Sequence, residues 1–341
     1  MENKSALKVG VIGCGYSAND YKLATKFVKN IEIVAATDLN LDRAIRMASK
    51  KHAYTDAEKM YQNEDFDIVY IATPHHLHKS MIKQAFEKGK HVHCEKPVAH
   101  SLEDAREIKD LDKKYGDLKL GFNYMHRYDH NCYRLASGIQ NNHLGEVYYA
   151  NCNIFFSRNE TYFEKGPWRA KKELAGGGTL ITHGSHTIDI MIWALGEPIS
   201  VIGKIATVKF KNIEVEDVGF GIVEFENGVY AQINDSLFVK PPMSILKIRT
   251  ELQIFGKKGR GYYKGVWPFS SVKWKGVKKY KIKKDTKGIS HFGRSAKAFG
   301  NWVLNDKPYF NTVEESSKAL RLISALYKSS ETGKKEQIEK L

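Results

Sequence analysis

The sequence has no apolar run long enough to cross a membrane. Its hydrophobic stretches are short, and none approaches the roughly 20 uninterrupted apolar residues that a membrane-spanning helix needs. Residues 1–5 are polar and lead straight into a predicted strand, so we expect no signal peptide. The sequence also contains no internal repeat and no low-complexity linker. These absences predict a globular protein with no membrane partner.

Cysteine is scarce as well. The 341 residues include four cysteines, and no two of them form a C-x-x-C pair. They lie in apolar or mixed segments, so we expect buried, reduced thiols in a cytoplasmic protein. The four are Cys14, Cys94, Cys132 and Cys152.

Acidic residues are outnumbered by basic ones, which gives a formal net charge of +15. Lysines are spread along the chain and are densest over residues 273–287, where Lys281 and Lys283 alternate with Tyr280 and Ile282 as on a strand with one wet face. Such a patch suits nucleic acid or an acidic partner. Because no nucleic-acid motif accompanies it, we interpret it as an edge strand whose lysines prevent sheet-to-sheet pairing, and we predict no nucleic-acid partner. The charge favours an anionic substrate.

The chain is long enough for two domains, and its 42% hydrophobic and 27% charged residues are typical of folded proteins. Over residues 1–125, short runs rich in Val and Ile alternate with segments of helical spacing. This order predicts βαβ units and a doubly wound parallel sheet with helices on both faces. The predicted strands are residues 7–13, 31–37, 67–73, 90–95 and 118–122, and helices are predicted over 41–51, 76–88 and 101–115.

The pattern changes near residue 128, where longer alternating runs begin. They predict a second domain over residues 126–341, an α+β domain with a large, mostly antiparallel open sheet. Asn227-Gly228 predicts a hairpin, because this pair readily adopts positive φ angles. Helices are predicted near 131–140 and 184–195, and two more close the chain, free to pack back on the first domain. The predicted strands are residues 146–156, 199–210, 218–225, 229–238 and 245–255.

A glycine-rich turn follows the first predicted strand and opens a helix. Its first glycine permits a tight turn, its second lets the backbone approach a pyrophosphate, and a small residue at the third position allows close helix–strand packing. The diphosphate would then lie on the N–H groups of the helix N-terminus. The turn therefore predicts a Rossmann domain with cofactor contacts from Gly13, Gly15, Tyr16, Ser17 and Ala18.

Asp38 ends the second predicted strand, twenty residues after Ala18. A carboxylate there accepts hydrogen bonds from both hydroxyls of the adenosine ribose and repels a 2′-phosphate, so NAD is favoured over NADP. Arg43 is a potential partner for that phosphate, which keeps NADP as the less favoured cofactor. Asp38 could also cap the next helix, and both roles could hold together.

Two further motifs follow later strands. Glu95-Lys96-Pro97, together with Thr73-Pro74 and His78, resembles the signature of the Gfo/Idh/MocA oxidoreductases, and residues 175–189 (AGGGTLITHGSHTID) resemble the second signature of that family. The similarity continues through the Gly-Pro-Trp-Arg segment at 166–169, the turn at 256–259 and the terminal helices. The resemblance implies a dehydrogenase that moves hydride between a nicotinamide and a secondary hydroxyl or ketone of a sugar, an inositol or a sugar derivative.

The resemblance also implies roles for individual residues. Lys96 would orient the reacting oxygen and stabilise negative charge on it, and His186 would act as the general acid/base, which suits the ordinary pKa of histidine. The Lys96–Pro97 peptide bond is often cis in the family, and a homodimer or homotetramer is implied. The implied cofactor contacts are Thr73, Pro74, His78, Glu95, Lys96, Pro97, Trp168 and Arg169. The implied substrate contacts are Lys96, Tyr124, Arg127, Thr182, His183 and His186.

Helical spacing gives evidence about His186 that does not depend on the family resemblance. An apolar stripe at i, i+3, i+4 and i+7 predicts an amphipathic helix with Thr182, His186 and Asp189 on the opposite face. That face would line a cleft or meet water, and spacing alone leaves both open. The stripe consists of Ile188, Met191, Ile192 and Leu195.

Two positions depart from the family pattern. Thr182 stands where many polyol-oxidising members have an aspartate, and His75 stands where an asparagine is common. His183 or Asp189 are candidates to compensate for the missing carboxylate. The departures leave the substrate and the reaction direction open, but they do not alter the expected cofactor.

Other functions were weighed against these motifs. Seven histidines fall in three tracts and make a zinc site conceivable, but their spacings match no metal motif, so no metal is predicted. A non-catalytic dinucleotide sensor is the alternative to an enzyme, and it would need neither Lys96 nor His186. The histidines are His75, His76, His78, His91, His93, His183 and His186.

Overall fold

The computed structural model describes residues 6–239, 248–266, 269–282 and 289–341. The chain divides into two compact units. The first contains Met1–Ala99, Glu103–Tyr128 and Asp285–Ser316, and the second contains His100–Leu102, Asp129–Lys284 and Ser317–Leu341. Among the described residues, every helix is too short or too polar to traverse a bilayer.

The first unit is built on a six-stranded parallel sheet in the order β3-β2-β1-β4-β5-β6. This order and direction confirm the predicted doubly wound fold. The central strands are apolar on both faces because helices cover both, and all four residues of β4 are buried. The strands are β1 (Leu7–Ile12), β2 (Ile31–Thr37), β3 (Ala53–Tyr54), β4 (Ile68–Ile71), β5 (His91–Cys94) and β6 (Leu120–Phe122).

Five helices connect these strands, and a sixth comes from far along the sequence. They are α1 (Tyr16–Thr25), α2 (Leu41–Ala48), α3 (Ala57–Asn63), α4 (His78–Glu87) and α5 (Leu102–Lys114), with α10 (His291–Asn305) completing the unit. Ala296 and Phe299 of α10 pack in one hydrophobic cluster with Val9, Val11 and Tyr21. The core of the nucleotide-fold unit therefore includes a helix from the end of the chain.

The second unit is built on an eight-stranded sheet in the order β13-β12-β11-β7-β10-β9-β8-β14. Only the β7–β10 pair is parallel, which confirms the predicted mostly antiparallel sheet. The strands are β7 (Val147–Phe156), β8 (Pro198–Ala206), β9 (Val218–Phe225), β10 (Tyr230–Ser236), β11 (Ile248–Gly256), β12 (Gly259–Val266), β13 (Phe269–Lys275) and β14 (Glu336–Gln337). The helices are α6 (His130–Gln140), α7 (Thr161–Glu164), α8 (Lys172–Ala175), α9 (Ser185–Leu195) and α11 (Val313–Thr332), whose first turn counts with the first unit.

The hairpin predicted at Asn227-Gly228 joins β9 to β10. Gly228 has φ +80°, and the Phe225 N–H donates to the Val229 carbonyl at 2.9 Å. The strand predicted over 245–255 is β11, and residues 245–247 lie outside the described part of the chain.

The lysine-rich edge strand lies earlier than predicted. The edge strand is β13, with Lys273 and Lys275, and the chain leaves it at Gly276, where φ is +80°. Residues 277–282 have no regular structure, so the strand expected around Tyr280 is wrong. The Tyr280 carbonyl instead accepts hydrogen bonds from Arg134 Nε (3.2 Å) and Nη2 (2.9 Å). Lys283 lies outside the described residues.

Candidate active site

The glycine-rich turn lies at the carboxyl end of β1, beside β4. Gly13 has φ +85°, and a Cβ there would lie 2.7 Å from the Ala72 carbonyl oxygen, so no other residue fits. A Cβ at Gly15 would meet no atom within 4 Å, which leaves room above the start of α1 for a phosphate. Ala18 is fully buried against the sheet, as expected for the third position of the turn, whereas Tyr16 is exposed.

Asp38 follows β2 and organises this turn. Its Oδ2 accepts the Cys14 N–H at 2.8 Å, and its Oδ1 accepts the Asn40 N–H at 2.8 Å. The cap of α2 is Asn40, whose side chain accepts the Arg43 N–H. Because each carboxylate oxygen has two acceptor sites, Asp38 still has one on each oxygen for the hydroxyls of a ribose.

Thr73 and Pro74 follow β4 at the same edge of the sheet. The Thr73 Oγ1 is buried and has no hydrogen-bond partner among the described residues. The Thr73 Cγ2 would lie 3.0 Å from a Cβ at Gly13, so Thr73 adjoins the glycine turn. The cradle at the end of β1 therefore fits the diphosphate of a dinucleotide, which would lie on the N–H groups of α1.

Glu95 begins the Glu-Lys-Pro turn after β5. Its Oε1 accepts hydrogen bonds from the Tyr70 hydroxyl and from Asn123 Nδ2 (2.8 Å). Asn123 in turn accepts a hydrogen bond from the Ser295 hydroxyl at 2.9 Å. Helix α10, which carries Ser295, therefore supports the turn through Asn123. Burial, followed by the charge of Glu95, raises the pKa of Tyr70 and keeps its phenol a donor. This buried network identifies Glu95 as a support for the turn.

His78 ties the loops after β4 and β5 together. It is fully buried, with Nδ1 2.9 Å from the Pro97 carbonyl oxygen and Nε2 3.3 Å from the Thr73 carbonyl oxygen. Burial lowers its pKa to about 4, so the ring is neutral near pH 7 and carries one proton. The shorter distance assigns that proton to Nδ1, which donates to Pro97. These contacts order both loops, and the cofactor contact expected of His78 stays a prediction.

Lys96 is partly exposed at the end of β5, and the Lys96–Pro97 peptide bond is cis. Tyr124 and Arg127 follow β6, and both are buried. Arg127 Nη1 donates to the Phe310 carbonyl and to Glu315 Oε2, each at 3.1 Å. Glu315 thus matches the charge of Arg127, and the substrate contact expected of Arg127 stays a prediction.

In the second unit, the helix that carries His186 was predicted to be amphipathic. That prediction is wrong, because residues on all sides of the helix are buried. Its first turn, Leu180–Gly184, is a π-helix, and α9 then buries every residue except His186 and Trp193. The wider turn shifts Thr182 out of the phase assumed for a regular helix, and Asp189 is buried. His186 therefore differs from its immediate neighbours in being only partly buried.

Thr182, His183 and Arg158 form a hydrogen-bonded chain. Thr182 Oγ1 donates to the Gly178 carbonyl at 2.7 Å, so it accepts from His183 Nδ1, which lies at 2.8 Å. His183 is consequently protonated on Nδ1, and its Nε2 accepts from Arg158 Nε at 3.4 Å. Both ring nitrogens of His183 are engaged.

Tyr162 lies beside two arginines. The guanidinium carbons of Arg158 and Arg169 are 5.5 Å and 5.0 Å from the centre of its ring. Arg169 also lies 4.9 Å from the Trp168 ring, and a Cβ at Gly166 would be 1.7 Å from Arg169 Nη1. The guanidinium of Arg169 therefore lies against the backbone of Gly166. Arg158 and Tyr162 were not predicted, since neither belongs to a motif.

Glu216, in the segment just before β9, supports the start of the His186 segment. Its Oε2 accepts the Gly178 N–H at 2.7 Å, and its Oε1 accepts the Leu180 N–H (3.0 Å) and the Tyr327 hydroxyl (2.9 Å). A carboxylate at a helix N-terminus also complements the helix dipole. Burial nevertheless raises the pKa of Glu216 from 4.5 to about 7. The sequence carries no signal for this contact, which spans 36 residues or more.

The histidine tracts do not assemble into a metal centre within the described ranges, where no three potential ligands cluster. His91 Nδ1 accepts the Lys119 N–H at 2.9 Å. His93 Nε2 lies 3.0 Å from the Tyr309 hydroxyl in a buried setting that lowers its pKa to about 3. These rings have structural partners.

Comparison with known families matches residues 7–124 to "Oxidoreductase family, NAD-binding Rossmann fold" and residues 134–261 to "GFO/IDH/MocA C-terminal domain". The chain belongs to the GFO/IDH/MocA oxidoreductase family. It is therefore an NAD-binding oxidoreductase, and the predicted family, enzyme class and cofactor are confirmed.

Two relatives and one solved structure illustrate the similarity. The chain is 28% identical to D-glucoside 3-dehydrogenase of Escherichia coli K12, over 96% of this chain and 97% of that one. It is 31% identical to glucose-6-phosphate 3-dehydrogenase of Bacillus subtilis 168, over 68% of this chain and 66% of the relative. The WlbA dehydrogenase of Bordetella pertussis, solved with NADH and UDP-GlcNAcA, superposes with a TM-score of 0.84 at 23% identity, over 98% of this chain and 99% of that one.

Replacing Asp38 tests the basis of cofactor choice. In Asp38→Ala, the ratio of the NADPH and NADH dissociation constants should fall about tenfold or more, since a charged hydrogen-bond acceptor is lost and repulsion of the 2′-phosphate ends. Fluorescence titration with both cofactors measures the ratio. Asp42→Ala, in the first turn of α2, is the matched control and should keep the wild-type ratio. An unchanged ratio in Asp38→Ala would contradict the assignment.

Glu216 should make stability depend on pH. Between pH 4.5 and about 7 the native state keeps a proton that the unfolded chain has released, so the free energy of unfolding falls as pH rises through this window. The raised pKa corresponds to roughly 3 kcal/mol. Glu216→Gln does not titrate, so urea unfolding across the window should show a shallower fall than in the wild type.

Glu214→Gln is the control for that experiment, because Glu214 is exposed and pairs with Lys171. It should keep the wild-type slope between pH 4.5 and 7. Equal slopes for the wild type and Glu216→Gln would show that Glu216 has no such raised pKa.

Proposed function

We propose that the protein oxidises a secondary hydroxyl of a sugar or polyol with NAD, or reduces the corresponding ketone with NADH. The observation that carries the proposal is the arrangement at one edge of the parallel sheet. The Gly13–Gly15 turn, Thr73-Pro74 and Lys96 follow the adjacent strands β1, β4 and β5. In such sheets ligands bind at the carboxyl ends of the strands, where the strand order reverses. The sugar dehydrogenases among the relatives support the substrate class.

In the proposed chemistry one side chain exchanges a proton with the substrate hydroxyl, and a second side chain stabilises negative charge on its oxygen. NAD supplies the hydride acceptor when bound. His186 takes the proton of the substrate hydroxyl, and the Lys96 ammonium donates a hydrogen bond to the oxygen as negative charge develops on it. Tyr70 and Asn123 hold Glu95, and His78 holds Pro97, so the turn that presents Lys96 is supported on both sides. In the reductive direction the same groups return the proton.

The hydrogen bonds of His183 favour His186 as the proton acceptor. Both nitrogens of His183 already have partners, Thr182 on one side and Arg158 on the other. His186 is partly exposed on the same helical segment. Thr182 has no carboxylate with which to polarise an imidazole, so the basicity of His186 depends on other groups around α9.

We also retain Trp168 and Arg169 as proposed cofactor contacts. In the described part of the chain, Arg169 forms no ion pair with a carboxylate, so its positive charge is not neutralised by a direct partner. Aromatic contacts on two sides hold the guanidinium in place. An anionic diphosphate is a suitable partner for a group held in this way.

Removing either reacting group should nearly abolish turnover. Lys96→Ala and His186→Ala should each lower kcat by about 100-fold or more, since electrostatic and general-base contributions have this size. NADH formation with a panel of sugars and polyols measures turnover, and fluorescence titration should show NADH binding within a few-fold of wild type. Lys90→Ala, at the opposite end of β5, should retain activity. Near-normal turnover in either site variant would refute its assigned role.

The open face of the large sheet supports a homo-oligomer. Ile202, Phe220, Ile222 and Tyr230 lie on one face of the adjacent strands β8, β9 and β10, and all four are exposed, Phe220 by 49% and Ile222 by 55%. A cluster of exposed apolar side chains is typical of a protein–protein contact. We propose that a second copy of the chain covers this face, as the family resemblance implies.

The double variant Phe220→Lys/Ile222→Glu should reduce the mass of the particle. Charges in an apolar interface are costly to desolvate, so the variant should elute as a monomer in light-scattering chromatography at the concentration where the wild type is a dimer or tetramer. Phe27→Lys, at another exposed aromatic position in the first unit, should leave the mass unchanged. A monomeric wild type would refute the proposal.

A further inference from the structure

A second buried acid, besides Glu216, lies against the segment that carries His186. Asp235 is on β10 and is fully buried. Its Oδ1 accepts a hydrogen bond from Thr179 Oγ1 at 2.9 Å, and Thr179 immediately precedes the π-helical turn that leads to His186. All of these residues belong to the second unit. Asp235 therefore holds the start of the segment from the sheet beneath it.

The other oxygen of Asp235 lies against Gly184, two residues before His186. A Cβ at Gly184 would overlap with Asp235 Oδ2, whereas the Thr179 carbonyl oxygen would be 3.5 Å from that Cβ, an ordinary contact. The backbone of Gly184 has φ −59° and ψ −36°, which any residue adopts in a helix. The contact with Asp235, and not the backbone conformation, is thus what favours glycine at this position.

The hydrogen bonds of Asp235 favour the neutral acid. Oδ2 is buried, and no residue in the described part of the chain donates a hydrogen bond to it. A buried carboxylate that receives one donor is costly, whereas a carboxylic acid carries no charge and donates a hydrogen bond itself. The Thr179 carbonyl oxygen adjoins the same position at Gly184 and offers an acceptor for that proton.

The neighbouring groups act in the same direction. Burial, followed by the charge of Glu216, raises the pKa of Asp235 well above its usual value of 3.8. Glu216 accepts two backbone N–H groups of the same short segment, so it takes the donors that could have stabilised a second carboxylate there. Tyr327 of α11 and Cys152 of β7 also interact electrostatically with Asp235, and burial raises the pKa of each, so both are neutral near pH 7.

We propose that Asp235 is a neutral carboxylic acid that positions the His186 segment, with its proton on the oxygen that lies against Gly184. Oδ1 accepts from Thr179 and Oδ2 donates to the backbone of the turn, so β10 fixes the segment at two points. Asp235 is a positioning residue, because it acts through this backbone and not on the substrate. The inference rests on the role proposed for His186 and deepens that function.

Asp235→Asn tests the charge state, because the amide keeps the shape and a donor but cannot ionise. Its kcat at pH 7 should stay within about threefold of the wild type, and its thermal unfolding midpoint should be unchanged. Asp235→Ala should lower kcat about tenfold or more while NADH affinity changes little, since the base is misplaced. The substrate is whichever of D-glucose, D-glucose 6-phosphate and myo-inositol the wild type oxidises fastest.

Asp217→Asn is the matched control. Asp217 is also buried, but its two oxygens accept three backbone N–H groups at 2.7–2.9 Å, and an amide cannot accept all three. This variant should therefore lower the unfolding midpoint, in contrast to Asp235→Asn.

Two further measurements detect the proton without reference to activity. The infrared difference spectrum of the wild type and Asp235→Asn at pH 7 should contain the C=O stretching band of a protonated carboxyl group. The native state keeps a proton that the unfolded chain releases above pH 3.8, so the free energy of unfolding should fall as the pH rises above this value. The fall should be less steep in Asp235→Asn, which does not titrate.

A double-mutant cycle tests the contact with Gly184. In the wild type, Gly184→Ala should lower kcat about tenfold or more, because the methyl group displaces Asp235. In Asp235→Ala the same methyl group meets only ordinary contacts, and it should lower kcat further by less than about threefold. A glycine that is required for its backbone alone would show no such rescue.

The outcomes separate the parts of the inference. Absence of the carboxylic acid band, or a lower unfolding midpoint in Asp235→Asn, would overturn the neutral acid. Additive effects of the two alanine substitutions on kcat would overturn the positioning role and leave the dehydrogenase function standing. If the wild type oxidised no sugar or polyol, the proposed function and the positioning role would both fail, while the spectrum would still test the neutral acid.

Discussion

The close approach of the Gly13 backbone to the Ala72 carbonyl is the constraint on which the cofactor end of the molecule depends. It brings the turns after β1 and β4 into contact, and it is possible only because Gly13 has φ +85° and no side chain. The Cys14 N–H is then directed at Asp38, and the start of α1 lies beside open space at Gly15. A side chain at position 13 would push these two loops apart and would disrupt the phosphate cradle.

The functional turns of both units are held by buried polar groups. Glu95 accepts from Tyr70 and Asn123 beneath the Lys96 turn, and Glu216 accepts from two N–H groups at the start of the His186 segment. A buried carboxylate is costly unless it has such donors. Here the hydrogen-bond donors offset the cost of burying the carboxylate. They also fix short backbone segments, because a turn with several hydrogen bonds has few alternative conformations. Side chains on such turns are held in place before a ligand arrives.

Much of the fold could be predicted because its signals are local. The buried parallel strands β1, β2 and β4 are runs of Val, Ile and Ala, and the hairpin at Asn227-Gly228 needs only a turn between alternating strands. Strand β12 was missed because its three glycines and two adjacent tyrosines give no alternation of apolar and polar residues. Strand β3 was missed because two residues carry no periodicity.

The residues of the candidate site also divide into those with a local sequence signal and those without one. The glycine turn and the Glu-Lys-Pro turn are contiguous motifs, and the structure puts both at the edge of the sheet that the strand order requires. The burial of His78 and the ion pair of Arg127 each depend on a partner distant in sequence. The π-helical turn before α9 also could not be predicted, because the periodicity argument assumes 100° per residue throughout the helix.

The replacement of the family aspartate by Thr182 has consequences for charge. A carboxylate at that position would lie in the hydrogen-bonded chain that joins the Gly178 carbonyl, His183 and Arg158, and it would favour a protonated, cationic His183. With threonine the hydroxyl accepts the proton of a neutral ring, and His183 Nε2 remains an acceptor for Arg158.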